Sequence, residues 1–421
     1  MLNKAGEREL CYITLIDAIE PIEGSDNCEC AVVGGWRVMV RKNEFKKGDP
    51  AIYFEIDSYL DPSNPAFAFM EKKKYKVKTQ RYTFGGKGNF ISQGLLMSAA
   101  NFGWSIGHVM DQNYTPFIME GNQITIHHIN DESRFLTKQL GVTYATAEDN
   151  TRKAASADKY KKMAQRHGKL FSKQPFRWLM KRTWGKKLLF IFFGKKKDKK
   201  SEWPSWVVKT DEERIENRTW TLKASDVQWV ANEKIDGTST TFYLSRPKGL
   251  KKGEYLVCSR NVVFDTPEKG RNNYYMDTLG NVYLEMSEKY NVKAALEKLL
   301  ANRPSAEWVA VQAETFGMGV QKRDYGMKDH EIRAFNLRYS DCGRVGTLEM
   351  RDALEPLGIP CVPIISEAMI LPSTVEELRE FVHSAPSAID GGMKEGIVFR
   401  SLDGSDSFKC VDPEFLVKFH Q

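Results

Sequence analysis

The stretch Val227-Gln-Trp-Val230-Ala-Asn-Glu233-Lys234-Ile235-Asp236-Gly237-Thr238-Ser-Thr-Thr-Phe-Tyr-Leu244 decides the reading of this 421-residue chain. Two β-branched and aromatic runs flank an Asp-Gly step, which reads as two strands joined by a short turn. Lys234 lies where the first run gives out. By itself a Lys-x-Asp-Gly string says little, since at average residue usage it arises by chance in roughly one chain in ten of this length. An isolated match is a surface turn with a solvated lysine beside it.

Five more blocks follow in order: Ser259-Arg260-Asn261, Gln312-Ala-Glu314-Thr-Phe-Gly317, Ala334-Phe335-Asn-Leu, Lys394-Glu395-Gly396-Ile-Val-Phe-Arg and Ser407-Phe408-Lys409. Each sets a charged or aromatic residue at the end of an apolar strand. These residue types suit one chemistry. A lysine amine attacks the α-phosphate of a nucleoside triphosphate only when neutral, and at an ordinary pKa near 10.4 about one in a few thousand is neutral at pH 7. A neighbouring cation such as Lys409, together with a divalent metal, would favour the neutral amine and stabilise the departing pyrophosphate. Glu314 and Glu395 are costly acids at strand ends unless they meet a metal, a ribose hydroxyl or a fixed cation. The plain alternative is a surface carboxylate paired with Arg or Lys. Gly317 and Gly396 would let the backbone approach a ligand, or simply mark a turn or bulge. Phe335 would stack on a purine or fill the core.

Taken in this order the blocks resemble the motifs of the covalent nucleotidyltransferases, the polynucleotide ligases and messenger-RNA capping enzymes. Only 12 residues follow Lys409, too few for the OB domain that capping enzymes and typical DNA ligases carry after the last motif. Ser92-Gln93-Gly94-Leu95 and Lys209-Thr-Asp-Glu-Glu-Arg-Ile215 look instead like RNA ligases of the Deinococcus/Naegleria type, which carry an N-terminal OB module. The resemblance covers roughly residues 10–145 and 203–418. It implies an ATP-dependent RNA ligase using Mg²⁺ or Mn²⁺, with Lys234 as the adenylylated nucleophile. It further implies that Glu233, Asp236, Gly237, Arg260, Glu314, Phe335, Lys409 and, more weakly, Lys418 meet the nucleotide. Phe335 would stack on adenine, Arg260 lie near the nucleotide or the 5′-phosphate, Glu314 near the ribose, and Lys409 on the α-phosphate. Glu395 would organise the metal, with Glu314 a second candidate through water. RNA, or a duplex containing RNA with a break, is the partner implied, sealed at nicks with RNA on the 3′-hydroxyl side. Ser407 departs from the Lys-x-Lys of many relatives, and the basic insert has no counterpart in that pattern.

Working outward, residues 203–421 read as an α+β domain on antiparallel sheet, with strand-like runs at Val227–Val230, Thr238–Leu244, Tyr255–Cys258, Trp308–Ala313, Ile332–Leu337 and Gly396–Phe399. Helical stretches fall at Val292–Leu300 and Val375–Val382. Thr210 with Glu213 spells a capping box, so a helix is expected to start there. Residues 1–111 show short strands at Cys11–Ile16, Ala31–Val40, Ala51–Ile56 and Gly94–Met97, an OB-like β-barrel in outline. Within it Lys74, Lys76, Lys78 and Arg81, interleaved with aromatics, would follow a nucleic-acid backbone, or form a solvated basic hairpin.

Residues 112–202 connect the two. Between Arg152 and Lys200 there are 18 Lys or Arg against 2 acids, a local +16 within a chain of net +7, leaving −9 for the remainder. Such a tract lies on nucleic acid, an anionic membrane or a protein, or serves as a linker. With 41% hydrophobic and 28% charged residues the chain has ordinary globular composition. The longest apolar run near the tract, Leu188–Phe193, is far short of the roughly 20 residues that span a bilayer. Seven scattered cysteines without zinc-ligand spacing suit an intracellular, reducing compartment, and a monomer is expected. Two other readings stand beside the ligase: a capping guanylyltransferase or DNA ligase, and a nucleic-acid-binding protein that kept the fold and lost the chemistry, which Ser407 favours. A third makes the basic tract a tether and the ligase region its passenger.

Overall fold

The computed structural model describes residues 1–86, 88–106, 123–124, 132–144, 173–180, 182, 184–185, 188–189, 210–224, 226–249, 253–260, 263–264 and 281–420. Most of the basic tract 152–200, and Asn261, lie outside these. The chain forms two compact units, one of Met1–Ala145, Asp211–Ile235 and Pro363–Gln421, the other of Thr146–Thr210 and Asp236–Val362. It therefore passes from one to the other within the Lys234–Gly237 motif.

The first unit opens with short antiparallel strands in barrel-like sheets. β1 (Cys11–Leu15), β5 (Pro50–Phe54) and β8 (Leu95–Met97) form one sheet, and β2 (Ala18–Pro21), β3 (Cys28–Val33) and β4 (Trp36–Arg41) another. The run expected at Ala31–Val40 is thus a hairpin, broken at Gly34-Gly35 because a side chain there would collide with Glu216: a Cβ on Gly35 would stand 2.7 Å from the Glu216 Cα. The basic stretch leaves a 3₁₀ turn, Pro65–Lys73, and enters the hairpin β6 (Thr79–Thr83) and β7 (Asn89–Gln93). Trp36, Tyr53 and Val38 form the core of this region, and Val411 and Leu416 from the chain's far end join it.

The same unit holds a five-stranded sheet in the order β9 (Glu213–Arg214), β19 (Ser407–Val411), β18 (Gly396–Ser401), β10 (Gln228–Lys234), β17 (Ile364–Ile370). Beside it packs α4 (Val375–Ser384), whose Val375, Leu378 and Val382 point inward at helical spacing, while α5 (Pro413–Phe419) lies against the β6–β7 hairpin. No helix starts at Thr210. Glu213 and Arg214 pair in parallel with Phe408 and Lys409, and a 3₁₀ turn follows at Ile215–Asn217. The acids that spelled a cap go to distant partners instead: Asp211 to Lys409, Glu212 to Arg400 and Glu213 to the Leu2 amide.

The second unit is built on a six-stranded antiparallel sheet. Its order is β13 (Val263–Phe264), β12 (Tyr255–Ser259), β11 (Thr238–Ser245), β14 (Trp308–Gly317), β15 (His330–Tyr339), β16 (Gly343–Arg344). One face buries Phe242, Leu244, Val309, Val311, Ala313, Ile332 and Ala334 at the period of two that a pleated strand dictates. α1 (Val282–Lys289), α2 (Val292–Ala301) and α3 (Thr347–Leu354) contribute to this core, α2 through Val292, Ala295, Leu296, Leu299 and Leu300.

Candidate active site

β10 delivers Lys234. Its residues Trp229 to Glu233 are buried between β17 and β18, and Lys234 is where the strand meets solvent, its side chain a quarter exposed. The motif lysine is therefore the last residue of a strand six residues long in pairing, not part of the turn beyond it. Opposite stands Gly396, and the residue before it, Glu395, accepts from the Lys234 Nζ at 2.6 Å through Oε2. Gly396 is demanded by the ladder, since a Cβ there would lie 2.4 Å from the Cys410 carbonyl oxygen. The Asp412 amide donates to the Glu395 carbonyl at 2.9 Å, fixing that residue's backbone as well.

Lys409 enters the same unit from β19. Its Nζ bonds Asp211 Oδ1 at 2.9 Å. Burial pushes the Lys409 ammonium below its usual pKa, Asp211 opposes that, and the positive charges of Arg8, Arg214 and Lys234 add to it. Burial would raise the Glu212 carboxyl, but Arg400 and Lys409 hold it below the ordinary range. Asp211-Glu212-Glu213 thus form an acidic strap along the cations of β18 and β19.

Glu233 faces into the protein. Only 2% exposed, it takes the Ser387 hydroxyl on Oε1 and the Ala388 amide on Oε2, the latter at 2.7 Å. Burial raises its carboxyl pKa, the two hydrogen bonds and nearby Lys394 working the other way. Lys394, equally buried, donates from Nζ to the Ala385 carbonyl.

In the second unit the motif continues through Asp236 and Gly237. The Asp236 amide donates to the Tyr325 hydroxyl at 2.7 Å, and Gln321 Nε2 donates to the Gly237 carbonyl at 3.0 Å. A Cβ on Gly237 would lie 2.3 Å from the Thr315 oxygen and 2.9 Å from Glu314 Cγ. Glu314 is the one half-exposed residue between Val309 and Gly317 of β14, flanked in register by Ser239 and Arg333. Phe335 owes its placement to a bulge. Gln312 pairs with Asn336 and Ala313 with Ala334, so Phe335 is an extra residue that switches which parity of β15 faces the core, from Ile332 and Ala334 to Leu337 and Tyr339. Arg260 follows the last residue of β12, half-buried.

The structure thus gathers Lys234, Glu233, Glu395 and Lys409 in one unit, and Asp236, Gly237, Glu314, Phe335 and Arg260 in the other. Lys418 stands over the Phe419 ring on α5. Lys76 lies 3.8 Å from Asp57 and over Tyr59, Arg81 pairs with Glu414, and Lys74 ends the 3₁₀ turn in a left-handed conformation. Sequence reasoning gave no role to Asp211, Ser387, Lys394, Gln321 or Tyr325. Asp211 and Lys394 stood inside quoted motifs, whereas Ser387, Gln321 and Tyr325 carry no local signal.

Residues 10–98 match the family model of an OB-fold domain and residues 227–419 that of RNA ligase. No curated protein matches the chain. Among solved structures it resembles the Naegleria gruberi RNA ligase with pyrophosphate, at 22% identity and a TM-score of 0.66 over 98% of this chain and 99% of that one. A mutant of that ligase with ATP and manganese gives the same identity and TM-score over 98% and 100%, and one with AMP and manganese over 98% and 99%. That likeness bears on the fold, and the ligase model bears on the stretch that carries every motif from Lys234 to Lys409. Residues 227–419 thus resemble the RNA ligase family, and they follow a stretch that resembles an OB-fold domain.

Proposed function

We propose that the chain seals breaks bearing a 3′-hydroxyl and a 5′-phosphate, chiefly nicks in duplexes with RNA on the 3′-hydroxyl side, using ATP and Mg²⁺ or Mn²⁺. The observation that carries this is the pairing of Lys234 with Glu395 at 2.6 Å where β10 ends, with Lys409 buried in the same unit. The Lys234 Nζ lone pair forms a bond to the α-phosphorus, the bond to the bridging oxygen breaks, pyrophosphate leaves and the amine gives up a proton to solvent. AMP then passes to the 5′-phosphate as a 5′–5′ pyrophosphate, and the 3′-hydroxyl displaces it.

Lys409 neutralises the α-phosphate, exchanging its bond to Asp211 for one to the nucleotide. Phe335 stacks on adenine, Glu314 meets the ribose, Arg260 the 5′-phosphate, and Asp236 and Gly237 hold the turn beside the nucleophile. A bound divalent ion draws charge from the phosphates. Among the described residues no three His, Cys, Asp or Glu side chains cluster as a metal cage. One carboxylate, Glu395, with phosphate oxygens suits a hard octahedral ion that keeps its waters. Lys74, Lys76, Lys78 and Arg81 are proposed to line the nucleic-acid backbone. The seven thiols, all free, suit a reducing compartment.

The test is strand joining by the full chain with ATP and Mn²⁺ on four nicked duplexes that differ in RNA or DNA on each side of the nick. The proposal expects sealing wherever the 3′-hydroxyl strand is RNA. Equal sealing of an all-DNA nick would refute the stated preference.

A further inference from the structure

We infer that Glu233 is a positioning residue that clamps the 385–395 loop and so fixes Glu395 against Lys234, rather than a group that touches the nucleotide. The inference rests on the ligase reading for its consequence, but its geometry stands alone. Glu233 is the residue before the nucleophile, and its backbone is held in the sheet between Ile397 of β18 and the Pro363 carbonyl, which accepts from its amide at 2.9 Å. Both carboxylate oxygens are taken by one loop, Oε1 by the Ser387 hydroxyl and Oε2 by the Ala388 amide. Successive residues of a strand point to opposite faces, so with Glu233 turned to this loop Lys234 is presented on the other face.

Other bonds shape the loop. Ser387 and Gly392 close it on themselves, the Ser387 amide to the Gly392 carbonyl at 2.7 Å and the Gly391 amide to the Ser387 carbonyl at 2.8 Å. Lys394 reaches back to the Ala385 carbonyl, and Asp412 holds the Glu395 carbonyl. Lys394 also faces the negative charge of both Glu233 and Asp412, and Asp412 in turn takes His383 Nδ1 at 2.9 Å. The loop ends in Glu395, whose carboxylate meets Lys234. Both oxygens of the Glu233 side chain therefore tie the strand that carries the nucleophile to the loop that carries its partner. A carboxylate does this better than an amide, because it accepts on both oxygens while an amide offers one acceptor and two donors.

The experiment uses the full chain with Glu233→Gln, Glu233→Ala and Ser387→Ala, and reads two things. Amide hydrogen exchange over residues 385–395, against residues 228–232 as the control, reports the clamp without any activity. The rate and apparent KM of lysyl-AMP formation from ATP report its consequence. The expected result is faster exchange in the loop by about tenfold or more in Glu233→Ala. Glu233→Gln should be intermediate, Ser387→Ala nearer wild type, and the control peptide unchanged. The adenylylation rate should fall by about tenfold to a hundredfold with KM within about threefold, as for a misplaced group. Unchanged loop protection in Glu233→Ala and Glu233→Gln would overturn the inference. So would a raised KM with an unaltered rate, which would return Glu233 to the nucleotide. If wild type forms no lysyl-AMP, the ligase proposal fails while the exchange result still decides the clamp.

Discussion

Replacing Gly237 with alanine drives a methyl group into the Thr315 carbonyl. The ideal Cβ stands 2.3 Å from that oxygen, whereas carbon and oxygen in close contact rest about 3.3 Å apart, so roughly 1 Å of movement is required. The carbonyl cannot supply it, because Thr315 is paired to Thr238 on one side and Ile332 on the other in the middle of a six-stranded sheet. The Asp236-Gly237 backbone must shift instead, loosening the hydrogen bonds to Tyr325 and Gln321. Overpacking of this kind costs about 1–3 kcal/mol. The larger effect falls on rate, since a misplacement of about 1 Å near a reacting group costs on the order of a hundredfold. Gly237→Ala should therefore remain folded by circular dichroism, lose a few degrees of thermal stability, and form lysyl-AMP from α-labelled ATP about a hundredfold more slowly. Adenylylation within threefold of wild type would refute the reasoning, because it would mean that the turn after the nucleophile tolerates the shift.

Two further outcomes follow from the buried charges. Asp211→Asn leaves the Lys409 ammonium buried without its carboxylate and should cost about 1–3 kcal/mol, less than a fully buried pair because Asp211 is a quarter exposed. Burial lowers the Lys409 pKa in the folded chain, so the unfolded chain holds that proton more tightly and stability rises with pH through the folded value toward the ordinary lysine value. The rise should be steeper in Asp211→Asn, and urea unfolding at pH 7 and pH 10 checks it, an unaltered difference between the two proteins counting against the account. Glu55 has the opposite sign: burial alone would raise its carboxyl, but the Met1 ammonium and Arg8 bring it to about 2 from 4.5. Its contribution, on the order of 3 kcal/mol, is present above pH 4.5 and lost as pH falls toward 2. Glu55→Gln should flatten that part of the acid unfolding profile, and a profile that keeps its full acid slope would show that the group does not act this way.

Much of the fold was legible because strand and helix burial is written directly into the residues. His330–Tyr339 announces itself by alternation, Thr238–Ser245 and Trp308–Gly317 by β-branched and apolar runs buried on both faces, and α2 and α4 by helical spacing. What escaped was decided by distant partners. The Thr210 capping signal lost to Lys409 and Arg400, nearly two hundred residues away, which draw Asp211 and Glu212 into an extended strap. The bulge at Phe335 leaves no local mark, since a strand with one extra residue reads like one without until its partner's register is known. The candidate site divides the same way: Lys234 and Glu395 stood at strand ends in the sequence, whereas Ser387, Gln321 and Tyr325 act from loops by hydrogen bonds to the motif.

The central claim is that Lys234 carries AMP, and peptide mapping tests it most directly. The full chain is incubated with ATP and Mn²⁺, digested, and searched for an AMP adduct by mass spectrometry, beside Lys234→Ala. The account predicts an adduct on the peptide containing Lys234, from ATP and not from GTP, and none anywhere in Lys234→Ala. An adduct on another lysine, labelling from GTP, or an unmodified chain under these conditions would contradict it.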